Sequence, residues 1–348
     1  MRAGAVLALM AVGAAVRSLE FKVATFNVER LGDGKMGKPD AVEILLQAIL
    51  VDQEAILVDH EAILVDHEAI LVDHEAILVD HEAILQLSRR RPAIHSLSRV
   101  SVFVLGCHAH GAVRDTSRRL GMILDDYDLV CIQELTDADG SSVPVLLGLL
   151  NAASGKEYTN HTSPRLGRTT YKEQYLFLYE PSVFQVEDAI LYDDTADDIF
   201  EREPYYVTFR SGNFMFTMGT IHVKPDDAVP ELIQFAPAND WVTENHGMQD
   251  FLLLGDFNAD CDYVSGSDWD EIGLWTQPEY RWLVDNDADT TVNSNTDCAY
   301  ARVVAKGPEL QARISDVRVR RFDEEFGLEQ AEALDVSDHY PVEFTLTV

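Results

Sequence analysis

Six short runs of this chain concentrate apolar and β-branched residues in the manner of half-buried or buried strands. They read FKVATFNV (21–28), DLVCIQEL (128–135), QYLFLYE (174–180), FMFTMGTIHV (214–223), DFLLLGDFN (250–258) and HYPVEFTLTV (339–348). Two stretches between them carry helical patterning, PDAVEILLQAI (39–49), with Pro and Asp in its first turn, and SSVPVLLGLLNAA (141–153). Strands mixed with helices predict a layered α/β (α+β) architecture, because each sheet face has to be covered by something apolar.

One segment does not fit that alternation. From Gln53 to Leu85 a heptad, LVDHEAI, recurs almost unchanged. Four consecutive apolar residues point in nearly every direction around a helix, so the repeat makes no clean coiled-coil seam. A zinc-protease motif would need a second histidine four residues after the first, and the position four after His60 is Leu64. Weak metal binding by the Asp-His pairs would require another element to bring residues seven apart together. The simplest reading is a recent tandem duplication, or sequence foreign to the mature protein. Residues 51–118 are therefore treated as one insertion, with the mixed, aperiodic stretch that follows the repeat included.

Charge and targeting signals narrow the function. The formal net charge is −33, which excludes a general polyanion-binding surface built on clustered Lys and Arg. The repeat contributes ten acidic residues between Asp52 and Glu82 and no basic one, leaving the rest nearer −23. Such a protein can still engage phosphates through local arginines and bound divalent cations. Residues 1–18, MRAGAVLALMAVGAAVRS, have the basic start, apolar centre and small residues of a cleaved secretory leader, and are too short to be preferred as a membrane span. A secreted protein without a membrane anchor is expected. Four cysteines allow three full pairings, but Cys107 lies in the insertion and Cys131 in an apolar run, which leaves Cys261 and Cys298 as the expected disulfide. Asn160-His161-Thr162 is the glycosylation sequon.

The strand ends hold the chemistry. Asn27 closes the first strand, Glu134 the second, and His222 the fourth; Asp256 and Asn258 end the fifth, and Asp338-His339 opens the last. Singly, each is more often a turn residue or strand terminator. Together they make a hard, oxygen-rich set for Mg²⁺, with histidines for proton transfer and asparagines that orient oxygens without adding charge. That combination suits hydrolysis of a phosphodiester.

At these residues the chain resembles the deoxyribonuclease I family, within the broader endonuclease, exonuclease and phosphatase fold. The resemblance runs through FKVATFNVERLGDGKMG, CIQE, LGRTTYKEQYLF, YDDTADDIFEREP, LLLGDFNADCDYV, LWTQPEYRWLVDNDADTT, CAYARVVA and SDHYPVEFTL, nearly everything from Phe21 to Val348 except the insertion. It implies a four-layer sandwich of two packed β-sheets flanked by helices, spanning 19–348 and interrupted by 51–118. It also implies endonucleolytic cleavage of double-stranded DNA, contacted in the minor groove, with Mg²⁺ and Ca²⁺, by a monomer. Glu134 would be the principal metal ligand, with Asn27 and Asp338 close by. Asp256 and Asn258 would orient the attacking water and hold the scissile phosphate. Glu173 would partner His222, and His339 would sit across the phosphate. Tyr171 and Arg202 match positions that touch DNA. Asp194, Asp198, Phe200 (through its carbonyl) and Glu203 resemble one calcium loop, and Asp289 and Thr291 another. Cys261 and Cys298 match the family's structural disulfide.

The departures from the family are as informative. Where the family has the aspartate that orients the second catalytic histidine, here His339, this chain has Ala301; the carboxylate of Asp297, in a loop one residue longer, is the candidate substitute. Thr136 replaces an arginine of the minor-groove contact, Glu29 adds a negative charge near the phosphate path, and a small disulfide in the YDDTADDIFEREP loop is absent. The reading is therefore a secreted, metal-dependent endodeoxyribonuclease attenuated by Ala301. The alternative is a catalytically inactive relative that binds DNA or protein.

Overall fold

All six apolar runs are strands in the computed structural model, which describes residues 19–36 and 119–348. The expected leader, the helix at 39–49 and the 51–118 insertion lie outside the described residues. One six-stranded sheet has the order β11-β12-β1-β2-β4-β3 and the other β5-β6-β7-β8-β10-β9. In the first, β1 (Glu20–Leu31) and β2 (Leu129–Leu135) run parallel at the centre, flanked by β12 (Val342–Thr347), β11 (Ile314–Val319), β4 (Gln174–Tyr179) and β3 (Thr159–Thr162). In the second, the parallel centre is β7 (Phe214–His222) and β8 (Phe251–Asp256), flanked by β6 (Tyr205–Ser211), β5 (Gln185–Leu191), β10 (Ala301–Lys306) and β9 (Tyr280–Trp282).

The two sheets pack face to face, so alternate residues of the central strands are apolar and sequestered. Val23, Leu129, Cys131, Tyr175 and Phe177 from the first sheet meet Val207, Phe209, Phe216, Met218, Leu252, Leu254 and Val303 from the second. Phe209 is fully buried and stacks or tilts against Phe177, Phe184 and Phe216. Truncating such a core aromatic to alanine costs about 3–5 kcal/mol. The opposite strand phase covers the outer faces. Ala24, Phe26, Val130 and Ile132 pack under the Ser142–Ala153 helix and the helix ending at 125, while Ile221, Leu253 and Val304 pack under the Ala228–His246 helix. The four-layer sandwich is thus as the resemblance implies.

A buried polar link crosses the largely apolar space between the sheets. Gln133 on β2 donates through Nε2 to Thr25 Oγ1 on β1 at 3.1 Å and to Thr220 Oγ1 on β7 at 3.3 Å. All three residues are buried, so this network fixes the sheets' relative offset just beneath the catalytic-type residues.

Candidate active site

Each sheet has a parallel pair at its centre, and a parallel pair presents two C-terminal ends side by side, where an antiparallel pair would present one. In register, Asn27 lies opposite Gln133, and His222 opposite Asp256. The sheets close on each other at these ends. Asn27 Nδ2 donates to Glu134 Oε1 at 2.9 Å within the first sheet and to Asp256 Oδ2 at 3.0 Å across to the second. Asn27 is not the end of its strand as expected, because β1 continues to Leu31 past an irregularity between Asn27 and Leu31.

Glu134 reaches this point only by breaking its strand's alternation. Leu129, Cys131 and Gln133 face the other sheet, so regular pleating would turn Glu134 away from it. Its φ of 61° lies in the left-handed region, which swings the carboxylate back to accept from Asn27 Nδ2 and, through Oε2, from Arg30 N at 3.1 Å. Glu29 and Arg30 on the facing strand also have positive φ, at 46° and 54°. Asn258, with φ 47°, donates Nδ2 to Val223 O at 2.9 Å and its own N–H to Asp256 Oδ1 at 3.1 Å. Four non-glycine residues in a disfavoured conformation around one cleft is the distribution expected of a functional site that the surrounding fold holds in place.

His222 is held from both ends. Its Nδ1 is 2.7 Å from Glu173 Oε2, and its Nε2 is 3.6 Å from Asp256 Oδ2 and 4.0 Å from Glu134 Oε1. Burial and the Arg202 charge push its pKa down, but the Glu173 hydrogen bond and the Glu173 and Asp256 charges outweigh them, so the net shift is upward. Burial likewise opposes ionisation of Asp256. There the His339 and His222 charges, with hydrogen bonds from Asn27 and Asn258, prevail and hold its carboxyl below the usual range. Glu173 is held low in the same way, burial being outweighed by His222 and Arg202. Tyr175 OH accepts the backbone N–H of His222 at 3.0 Å.

His339 is fixed less completely. Ser337 Oγ donates to Asn27 O at 2.7 Å and accepts His339 N at 3.0 Å, which stitches the turn before β12 to β1. His339 Nε2 lies 3.4 Å from Asp256 Oδ2 and 3.8 Å from Asp338 Oδ1. Its Nδ1 is buried and makes no hydrogen bond among the described residues. Ala301, buried on β10 opposite Asp256, offers only a methyl group. Asp297 does not substitute: it is exposed, and its carboxylate is not among the acids within ion-pair reach of His339.

The acids around Glu134 are crowded in a way a divalent cation would relieve. The Glu29 carboxyl is pushed up by burial and then by the charges of Asp338 and Glu134, with Lys35 opposing. Asp338 Oδ1 is buried without a hydrogen-bond partner. Among the described residues no group of three or more His, Cys, Asp or Glu forms a closed metal cage. A Mg²⁺ site built on one or two carboxylates with retained waters needs none, so Glu134, Asn27 and Asp338 fit such an ion.

The remaining expected residues divide by position. Tyr171 is 46% exposed at the rim, available to a large ligand. Arg202, expected at the DNA surface, is buried: Nη1 pairs with Glu173 Oε1 at 3.2 Å and Nε donates to His222 O at 2.8 Å. In the first calcium-type loop Asp194 Oδ2 accepts Phe200 N at 2.9 Å, and Asp198 pairs with Arg168 at 3.1 Å. Burial and the charges of Asp194 and Asp198 push Glu203 up, again the signature of crowded acids. In the second loop Asp289 accepts from Thr291 N and Oγ1 and already pairs with Arg321 at 3.0 Å. Cys261 and Cys298 form the expected disulfide. Residues that sequence reasoning missed are Ser337, Tyr175, Gln133 and Glu231. Glu231, pushed up to about 7 by burial, accepts the N–H groups of Glu201 and Lys224 and so braces the loops beside Arg202 and His222. Their only sequence signal was a polar residue inside an apolar run or next to a candidate.

Comparison with known proteins gives the family. A family model described as "Endonuclease/Exonuclease/phosphatase family" matches residues 104–339. The chain is 41% identical over 233 residues to "Deoxyribonuclease-1" of Sus scrofa, an alignment covering 64% of this chain and 82% of that one. It is 38% identical over 252 residues to "Deoxyribonuclease-1-like 2" of Homo sapiens, covering 65% and 84%. Among solved structures, an endonuclease/exonuclease/phosphatase family protein from Leptotrichia buccalis aligns with TM-score 0.49 and 14% identity over 68% of this chain and 94% of that chain.

Proposed function

Since the chain belongs to the endonuclease/exonuclease/phosphatase family, in its deoxyribonuclease I branch, we propose that it is a secreted endodeoxyribonuclease that hydrolyses double-stranded DNA with divalent metal, attenuated at His339. The observation that supports this best is the Asn27 amide, which ties Glu134 to Asp256 across the two sheets with His222 alongside. Glu134, with Asn27 and Asp338, would hold Mg²⁺, which when bound supplies positive charge against the negative charge that grows on the phosphate oxygens. The acidic first loop, Asp194, Asp198, Phe200 and Glu203, and more weakly Asp289 and Thr291, would hold structural Ca²⁺.

The chain's own side chains divide the proton work. Asp256 is kept ionised in spite of its burial, so it can accept a proton from, and align, the attacking water, with Asn258 setting its rotamer through the backbone N–H. Glu173 favours the cationic form of His222, whose Nε2 would deliver a proton to the leaving oxygen. Arg202 acts through both, fixing the Glu173 carboxylate and the His222 carbonyl instead of meeting DNA directly. Tyr171 at the rim gives DNA a ring to pack against, in a minor groove that, with Thr136 in place of an arginine, is gripped less strongly.

The direct test is nicking of supercoiled plasmid by the purified chain in Mg²⁺ and Ca²⁺. Nicked circles that vanish when a chelator is added are expected. The second reading, a binding protein without activity, draws on the unpartnered His339 Nδ1. Plasmid left intact by protein that still retards it in a gel would favour that reading.

A further inference from the structure

A guanidinium taken out of water without a carboxylate to meet it is costly, so a fold that keeps one has to hold it by other means. Arg302 on β10 is such a group: it is fully buried, and among the described residues no acid lies within ion-pair distance of it. Burial pulls its pKa down to about 10, against the charges of Asp260 and Asp285, which leaves it cationic at neutral pH. Ala301, Val303 and Ala305 face the other sheet, so strand alternation turns Arg302 to the outer face. There its charge is met by backbone oxygens and aromatic rings. Nη2 donates to Ala259 O at 2.7 Å, and Nη1 to Val284 O at 3.0 Å and Asp285 O at 3.1 Å. Its central carbon lies 5.4 Å from the Trp282 ring centroid and 5.9 Å from that of Trp269. A planar fork reaches carbonyls of two loops at once, which a lysine ammonium at the same position does not.

Ala259 is the residue after Asn258. With a φ of 47°, Asn258 holds a conformation that persists only where the chain on either side is fixed. Before it, Phe257 N donates to Tyr300 O at 2.9 Å. After it, the tie is Arg302 on Ala259 O, followed one residue on by Asp260 Oδ2, which accepts Ala299 N at 2.7 Å. Within that span the Asn258 N–H reaches Asp256 Oδ1 and its Nδ2 reaches Val223 O. We propose that Arg302 is a positioning residue for phosphodiester hydrolysis, a clamp that anchors the loop after β8 to Val284 and Asp285 and so keeps Asn258 beside Asp256. This deepens the nuclease reading and rests on it for its kinetic consequence, not for the clamp itself.

The experiment compares the parent with Arg302→Lys, which keeps the charge and loses the fork, with Arg302→Met, which loses both, and with Phe216→Leu, a destabilising change in the core between the sheets. Labelling with carbonyl-¹³C phenylalanine and ¹⁵N-asparagine singles out two amides, those of Asn27 and Asn258, the asparagines that follow a phenylalanine. In both Arg302 variants the Asn258 amide moves and the Asn27 amide stays. In plasmid nicking well below the melting temperature, their kcat falls roughly tenfold to hundredfold while KM stays within about twofold. Phe216→Leu lowers the melting temperature and leaves both kcat and the Asn258 amide in place. Trp282→Phe, which thins the aromatic support around an intact Arg302, is the milder probe should the Arg302 variants not fold, and moves the Asn258 amide in the same direction by less. An Asn258 amide that stays put in every variant overturns the clamp, as does a parental kcat in Arg302→Lys or a kcat loss in Phe216→Leu equal to that of Arg302→Met. Intact plasmid throughout with a moving Asn258 amide supports the clamp and removes the nuclease reading instead.

Discussion

Replacing Glu173 by glutamine isolates what keeps His222 cationic. The substitution preserves shape and an acceptor opposite His222 Nδ1, 2.7 Å away, while deleting the charge and the second acceptor, which Arg202 Nη1 uses. Burial and the Arg202 guanidinium then act on His222 against Asp256, the more distant Glu134 and a neutral hydrogen bond, so its pKa falls. A hydrogen bond to a charged partner is worth about 1.5–3 kcal/mol and a neutral one about 0.5–1.5. The difference, on the order of 1.4 kcal/mol, is about one pKa unit. If His222 donates its proton to the leaving oxygen, the alkaline limb of the rate profile marks loss of that proton. A lower pKa means the proton is lost at lower pH, so the limb moves down by about one unit and the rate above it drops about tenfold. Initial plasmid-nicking rates across pH, at fixed saturating Mg²⁺, measure this for parent and Glu173→Gln side by side. Superimposable alkaline limbs would refute the assignment of His222 as the acid held by Glu173. Both variants remove the counter-charge of Arg202, but alanine also removes the acceptor of His222 Nδ1, so glutamine is the cleaner probe, with thermal melting as the control for folding.

Three further outcomes follow from the same geometry. Ala301→Asp should raise the nicking rate by roughly tenfold to hundredfold by giving His339 Nδ1 an acceptor, and an unchanged rate would show that Ala301 is not what limits the enzyme. Tyr171→Ala should leave the melting temperature unaltered, because the ring is nearly half exposed, while weakening DNA binding by about 1–3 kcal/mol in a gel-shift titration; unaltered affinity would remove Tyr171 from the interface. Deleting residues 51–118 should give a soluble chain with a single cooperative melt, since every strand of both sheets lies outside that segment, and aggregation would give the insertion a structural part.

Much of this protein is written locally. The six apolar runs are strands because a face-to-face sandwich buries alternate residues, and that period is visible in any stretch long enough to show it. Elements whose burial is irregular were not legible. Strand β5 buries only Ile190 along QVEDAIL, β3 is a short edge strand reading TNHT, and the Ala228–His246 helix carries Pro237 in its interior, which reads as a break. The site residues were identifiable as a chemical set at strand ends, and Cys261 and Cys298 as a pair.

Their arrangement was not identifiable in the same way. That Glu134 faces Asn27 depends on a left-handed backbone that defeats strand alternation, and that Asn27 meets Asp256, 229 positions away, depends on two parallel pairs closing at the same edge. Local pattern records which face a residue prefers, whereas distances between side chains on different sheets are set by the packing of everything between them. For the same reason Arg202, a surface contact by motif, became an internal brace.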